Sequence, residues 1–183
     1  TAYDGLVGGW TLVWSNLRGG SGKLVTDMPW HKAIDSLPQY KIRSGGRPRT
    51  LEDFEVYTGL DQIIALGSDI APGDERRAWG EMRYVWAPDF KAGDSTIHDA
   101  VCDFTIDPAD AYKINFAGSD GSGCHLIDGK EFPGIFVGHD QQKFSTSDRD
   151  NDEHEQQCSL LYSGTPFWYA SCWSGSFWGR GEL

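Results

Sequence analysis

Glycine and proline interrupt this chain so often that long helices cannot carry its fold. They occupy 31 of the 183 positions, 23 and 8 respectively. Each glycine weakens a helix interior, and each proline ends or kinks one. The patterning that survives between the interruptions has a period of two. Gly9-Trp10-Thr11-Leu12-Val13-Trp14 puts Trp10, Leu12 and Trp14 on one face of a strand, and both tryptophans are expected in the core. Glu81 to Trp86, Val101 to Ile106 and Tyr112 to Ala117 alternate in the same way and predict antiparallel strands. Thr58 followed by Asp61 predicts a capped short helix through Leu60, Ile63 and Ile64, stopped by Gly67. Beyond Ser119 the periodicity fades into loops rich in acidic and aromatic residues. The fold class is therefore α+β: an antiparallel sheet with few short helices and a long, loop-rich C-terminal binding region. No repeat or low-complexity linker divides the chain, so residues 1–183 read as a single domain.

Charge and cysteine content narrow the function. Against 27 Asp and Glu stand 16 Lys and Arg, a net charge of −11, which opposes nucleic-acid binding because that depends on a basic surface. No apolar run approaches the roughly 20 residues a bilayer span requires, so membrane insertion is not expected. The chain opens on Thr1 rather than methionine, and the expectation is a mature, secreted chain whose leader has been removed. Cys102, Cys124, Cys158 and Cys172 are even in number and lack the short pairs of a structural zinc site. Disulfides in an oxidising, extracellular setting suit them better. Of three possible connectivities, Cys102 with Cys124 and Cys158 with Cys172 is favoured, because each closes a local Gly- and Asp-rich excursion. Eight tryptophans exceed what a core of this size needs, so some are expected as surface platforms.

The sharpest chemical feature is Asp148-Arg149-Asp150-Asn151-Asp152-Glu153-His154-Glu155, with a carboxylate at every second position at its start. Alternate Asp side chains in a turn can converge on a hard cation, with backbone carbonyls completing its oxygen shell. Calcium suits such a loop better than magnesium, which demands octahedral geometry and keeps its waters. The loop is not an EF-hand, because Glu153 stands where that loop needs glycine and Ser159 where it needs glutamate. Local composition alone leaves a metal site and a solvated acidic loop evenly matched. No nucleophile elbow, zinc-protease helix or phosphate loop is present. The scattered histidines, His125 and His139 included, read as satisfied surface residues. A catalytic residue is therefore not expected.

The text around the acidic loop resembles a known family. Phe144-Ser145-Thr146-Ser147-Asp148-Arg149-Asp150-Asn151-Asp152, then Cys158, Tyr162, Phe167-Trp168-Tyr169 and Cys172, is similar to the C-terminal part of fibrinogen-related domains. The opening Gly8-Gly9-Trp10-Thr11-Leu12-Val13 resembles that family's glycine-glycine-tryptophan signature. Phe54 through Leu66 and Tyr112 through Gly118 are looser matches to its short-helix segment and to one of its strands.

The resemblance implies roles residue by residue. Asp150 and Asp152 would give side-chain oxygens to calcium, and His154 and Gln156 backbone carbonyls, with Asp148 a structural residue behind them. Cys158 would pair with Cys172, and a cis peptide would join Ser171 to Cys172. An acetyl-binding pocket of the family's lectins would be walled by Tyr162, Trp168, Tyr169, Ser171, Cys172 and Trp173. Trp173 replaces a histidine of the family pattern, the family's N-terminal cysteine pair is absent, and the chain reads as a divergent, shortened member. The implied function is a calcium-dependent lectin that binds glycans or glycoproteins, N-acetylated sugars among them, as a secreted homo-oligomer without a catalytic step. The alternative is an adhesion module that takes a peptide or protein partner.

Overall fold

Two antiparallel sheets gather the alternating segments. In a computed structural model the described residues are 13–15, 27–42, 54–68, 78–86, 98–116, 124–126 and 137–172. The first sheet holds β1 (Trp14–Ser15), β2 (Gln39–Ile42) and β3 (Phe54–Tyr57), with β3 in the centre. The second holds β4 (Ala78–Trp86), β5 (His98–Asp107), β6 (Lys113–Phe116) and β7 (Cys124–Leu126). There β5 pairs with β4 along nearly its whole length, while β6 and β7 share its other edge. Among the described residues the helices are α1 (Trp30–Asp35), α2 (Leu60–Ser68) and α3 (Cys158–Leu161), all short. The α+β class stands.

The alternating runs after Ala78 all form strands. β6 starts at Lys113 rather than Tyr112, because Ala111 and Tyr112 adopt left-handed φ values of 50° and 55° in the turn that precedes it. The β5–β7 register places Cys102 directly opposite Cys124; their side chains, and with them the expected pairing, lie outside the described residues. Most of the predicted opening strand lies outside the described residues, Trp10 included; within them the strand is Trp14–Ser15. Trp14 is packed against the core as expected, with its indole N–H donating to the Thr58 carbonyl at 2.9 Å.

The predicted helix forms, but its start is built differently. The Thr58 hydroxyl is buried and has no hydrogen-bond partner among the described residues, so it caps nothing. Gly59 stands at the entrance instead, and its carbonyl accepts from the N–H groups of Gln62 and Ile63. A glycine is needed there for room: a Cβ on Gly59 would sit 2.7 Å from the Ser36 nitrogen and 2.8 Å from its oxygen, at the end of α1. The helix then continues through Gly67 to Ser68.

The core lies between α2, β5, β6 and the C-terminal loops. Leu60, Ile63 and Ile64 of α2 are buried with Ile106 and Ile114 of the sheet and with Phe144, Phe167, Trp168 and Tyr169 of the loops. Each such side chain contributes roughly 1.5–3 kcal/mol, so the loop aromatics stabilise the fold as much as the sheet does.

Candidate functional site

The acidic loop is fastened to the core at its entrance and along its length. Ser145 and Phe167 exchange backbone hydrogen bonds of 2.9 and 3.0 Å, joining the loop's entrance to the aromatic run. Asn151 reaches back to donate its amide to the Phe144 carbonyl at 2.7 Å, while its own N–H donates to the Ser145 hydroxyl at 3.0 Å. Gln157 donates its amide to the Thr146 carbonyl at 2.7 Å, and the Glu153 N–H donates to the Ala170 carbonyl at 3.0 Å. Asn151 and Gln157 were not singled out from the sequence. Nothing but their position inside the acidic pattern distinguishes them from solvated amides.

Asp148 takes the structural part the resemblance implied. Its Oδ1 accepts from the Trp30 N–H at 2.7 Å and from the Thr146 hydroxyl at 2.8 Å. Desolvation works against the Asp148 carboxylate, but these hydrogen bonds outweigh it and hold the carboxyl below its ordinary value.

Asp150 and Asp152 converge. The Asp152 N–H donates to Asp150 Oδ1 at 3.2 Å, which sets the Asp150 carboxylate close enough to act on the Asp152 carboxyl. Asp152 also accepts from two backbone donors, the His154 N–H at 3.0 Å and the Cys158 N–H at 2.9 Å. Burial pushes the Asp152 carboxyl above its ordinary value. The two N–H groups pull it down, and the neighbouring Asp150 carboxylate pushes it up again. Two carboxylates held close at such a cost form a hard, oxygen-only donor pair, the chemistry calcium selects. His154 folds back so that its Nδ1 accepts from the Gln156 N–H at 3.0 Å, which brings the peptides of 154 and 156 to the same turn. The His154 ring also approaches the sulfurs of Cys158 and Cys172, with all three atoms within 4.8 Å of one another. Those sulfurs are bonded to each other, so they offer no thiolate to a softer metal.

The resemblance's pairing of Cys158 with Cys172 is observed. The Ser171–Cys172 peptide is trans, not cis; the unusual backbone there is a left-handed φ of 72° at Cys172, which re-aims the chain at the rotation with no isomerised bond. The proposed aromatic walls separate into two groups. Trp168 is only 1% exposed and belongs to the core: its ring packs against Trp14, Phe144 and Phe167, and its indole N–H donates to the Tyr112 carbonyl at 2.6 Å. It has no face left for a ligand. Tyr162 is half-buried and stacks on the buried Tyr169, with ring centres 5.8 Å apart and planes 17° from parallel. The Tyr169 hydroxyl donates to the Thr165 carbonyl at 3.0 Å. Its phenol is held neutral by burial, reinforced by Tyr162 and by the charge of Asp152. The tyrosine pair and Asp152 are joined through Cys158, whose N–H donates to the Asp152 carboxylate at 2.9 Å and whose carbonyl accepts from the Tyr162 N–H at 3.1 Å. Ser171 is exposed and Cys172 buried beside them; Trp173 lies outside the described residues.

His139 is a core residue rather than a surface one. It is 1% exposed, with Nδ1 2.8 Å from the Trp168 carbonyl and its ring edge-on to Phe167. The strand β7 contains His125, whose side chain lies outside the described residues.

Similarities to known proteins agree with this geometry. No curated protein matches the chain. Among solved structures, the fibrinogen-like globe domain of human ANGPTL6 is 24% identical, with a TM-score of 0.52 over 84% of this chain and 55% of that one. Lamprey fibrin D-dimer, complexed with the peptide ligand Gly-His-Arg-Pro-amide, is 18% identical, with a TM-score of 0.53 over 84% of this chain and 44% of that one. The chain thus spans about half the length of these solved chains, and at such identities the likeness speaks for the fold. Residues 81–182, more than half of the sequence, match the family described as fibrinogen beta and gamma chains, C-terminal globular domain. That match contains the acidic loop, the Cys158–Cys172 disulfide and the tyrosine pair, and the chain belongs to the fibrinogen C-terminal domain family.

Proposed function

We propose that this chain is a secreted, calcium-dependent recognition module of the lectin type, with no catalytic step. Fibrinogen-like domains are generally binding modules rather than enzymes; they take protein, peptide or glycan ligands, are typically extracellular and often bind calcium. The observation that carries the reading is the link through Cys158, whose N–H is held by the Asp152 carboxylate of the acidic loop and whose carbonyl holds the N–H of Tyr162, the ring stacked on Tyr169. Asp150 and Asp152 would hold the ion by their carboxylates, with the His154 and Gln156 carbonyls completing the shell. The ion would neutralise the paired charges and fix the turn that leads to Cys158. A half-buried aromatic ring beside convergent polar groups is the usual composition of a sugar site, because the ring covers a C–H face while the polar groups take the hydroxyls. The pocket proposed here is lined by Tyr162 and Ser171 with Cys172 at its base and Trp173 as a further wall; Trp168 is removed, and Tyr169, fully buried, backs the Tyr162 ring without reaching the ligand. Single sugar sites bind weakly, so a homo-oligomer supplies the affinity through multivalency.

A second reading replaces the glycan with a peptide or protein. It is favoured by the peptide in the lamprey fibrin structure, which shares this fold, and by Leu160 and Leu161, 54% and 52% exposed immediately before Tyr162. A glycan array run with calcium and again with chelator separates the readings. Calcium-dependent signal on N-acetylated glycans supports the lectin with its acetyl pocket, and signal on other sugars keeps the lectin alone. Silence in both conditions hands the site to a peptide ligand.

A further inference from the structure

The stretch that carries the acidic loop, α3 and Tyr162 has both of its ends fastened to the same four residues, Asp27 to Trp30. At the front end, the Ser147 N–H donates to the Met28 carbonyl at 3.2 Å, and Asp148 accepts from the Trp30 N–H at 2.7 Å. The Arg149 guanidinium lies 4.0 Å above the Trp30 ring, whose other neighbours include Tyr112 and Phe144. At the far end, the N–H groups of Asp27 and Met28 donate to the carbonyls of Ser163 and Gly164 at 3.0 and 3.1 Å. Gly164 is left-handed, with φ of 69°, and a Cβ there would stand 2.7 Å from the Asp27 nitrogen, so the close approach of the two backbones requires a glycine. The four residues lie outside the 81–182 family match.

We infer that Asp27–Trp30 is a clasp that holds the acidic loop in its ordered form, and that the Trp30 N–H donated to Asp148 sets how well that loop binds calcium. The inference rests on the calcium reading proposed above for its second half only. Pinning both ends of a loop removes part of the conformational freedom that ligand binding must otherwise remove, so a clasped loop binds more tightly with no added contact to the ion. Trp30 and Arg149 are positioning residues in this account, since they would reach the ion only through Asp148 and the backbone.

Trp30 is the first residue of α1 and follows Pro29, whose ψ is 160°. Proline is accommodated at the first position of a helix, and an extended residue before it is what proline requires. Trp30→Pro therefore deletes both the ring and the N–H, while Trp30→Ala deletes the ring alone. The difference between the two variants isolates the hydrogen bond to Asp148. Calcium titrated into the chelator-stripped full chain by calorimetry should bind Trp30→Pro at least about fivefold more weakly than Trp30→Ala, as befits a lost bond to a charged acceptor. In chelator, hydrogen exchange at the His154 and Cys158 amides, the two that Asp152 accepts, should be faster in Trp30→Pro. Equal calcium affinities within about twofold would overturn the calcium half, and equal exchange rates would overturn the clasp. A wild-type chain with no calcium affinity would remove the calcium reading itself, leaving amide exchange to decide the clasp. Should Trp30→Pro fail to fold, Asp148→Asn, which keeps the side-chain shape and weakens the acceptor, carries the same comparison.

Discussion

Asp150 and Asp152 stand one residue apart, yet their replacement should give different results, because one holds the chain and the other does not. The Asp152 carboxylate accepts from the His154 and Cys158 N–H groups at 3.0 and 2.9 Å. Leaving a backbone donor without its acceptor costs about 1–3 kcal/mol, and two are left here, while the burial and like charge that hold the Asp152 carboxyl above its ordinary value are a cost that the substitution relieves. A net of about 2 kcal/mol in chelator is a fair magnitude for Asp152→Ala. In a chain of this size that lowers Tm by about 4–8 °C. Asp150 is exposed and accepts one longer bond, 3.2 Å, from the Asp152 N–H, and its removal relieves repulsion on Asp152. Asp150→Ala should therefore change stability in chelator by no more than about 0.5 kcal/mol. With calcium a hundredfold above its dissociation constant, both variants forgo the roughly 2.7 kcal/mol of ligand stabilisation open to the native loop. Thermal unfolding of the three chains, each with calcium and with chelator, reads all of these terms. An unchanged gap between calcium and chelator in Asp150→Ala refutes its role as a ligand. A chelator loss for Asp150→Ala equal to that of Asp152→Ala refutes the division of labour.

Two further outcomes test the fold. Thr58→Val replaces a buried hydroxyl that caps nothing, so denaturant unfolding should show no loss, and up to about 1 kcal/mol of gain; a loss near 1 kcal/mol would restore Thr58 as the cap of α2. Burial raises the phenol pKa of Tyr57 and Tyr112, and likewise that of Tyr169, well above the ordinary value. A phenol whose folded pKa is raised keeps its proton in the native state and releases it on unfolding, so its stabilisation is whole below about pH 10 and is lost as pH rises beyond that. Spectroscopic titration of the folded chain should leave these three of the seven tyrosines silent through about pH 11, and they should ionise together with loss of structure. Smooth titration of all seven before unfolding would contradict the burial.

What the sequence disclosed follows the range of the interactions involved. β4, β5 and β6 were visible because a half-buried strand writes its alternation locally, over four to ten residues. α1 and β3 were not, since no alternating or helical run extends beyond their six and four residues, and they are held by contacts such as the Gly59 N–H donated to the Ser36 carbonyl. The spacing of Asp148, Asp150 and Asp152 was legible only as a choice between a metal site and a solvated loop, and the observed pairing of Cys158 with Cys172 was one of three connectivities, preferred for its short loop and implied by the family resemblance. The aromatic run was legible only as composition. Phe167, Trp168 and Tyr169 are all buried with no period to mark it, and Trp168 became core because Trp14 and Phe144 arrive from elsewhere in the chain to cover it. Tyr162 keeps an outward face next to Leu160 and Leu161, which are themselves half-exposed. The clasp is the extreme case: Asp148 and the Trp30 N–H are 118 residues apart, and a backbone donor has no side-chain identity for a sequence to show. A site whose charges are read from adjacent residues can thus depend for its order on a distant peptide group, and only a variant that removes that group or its acceptor reveals the dependence.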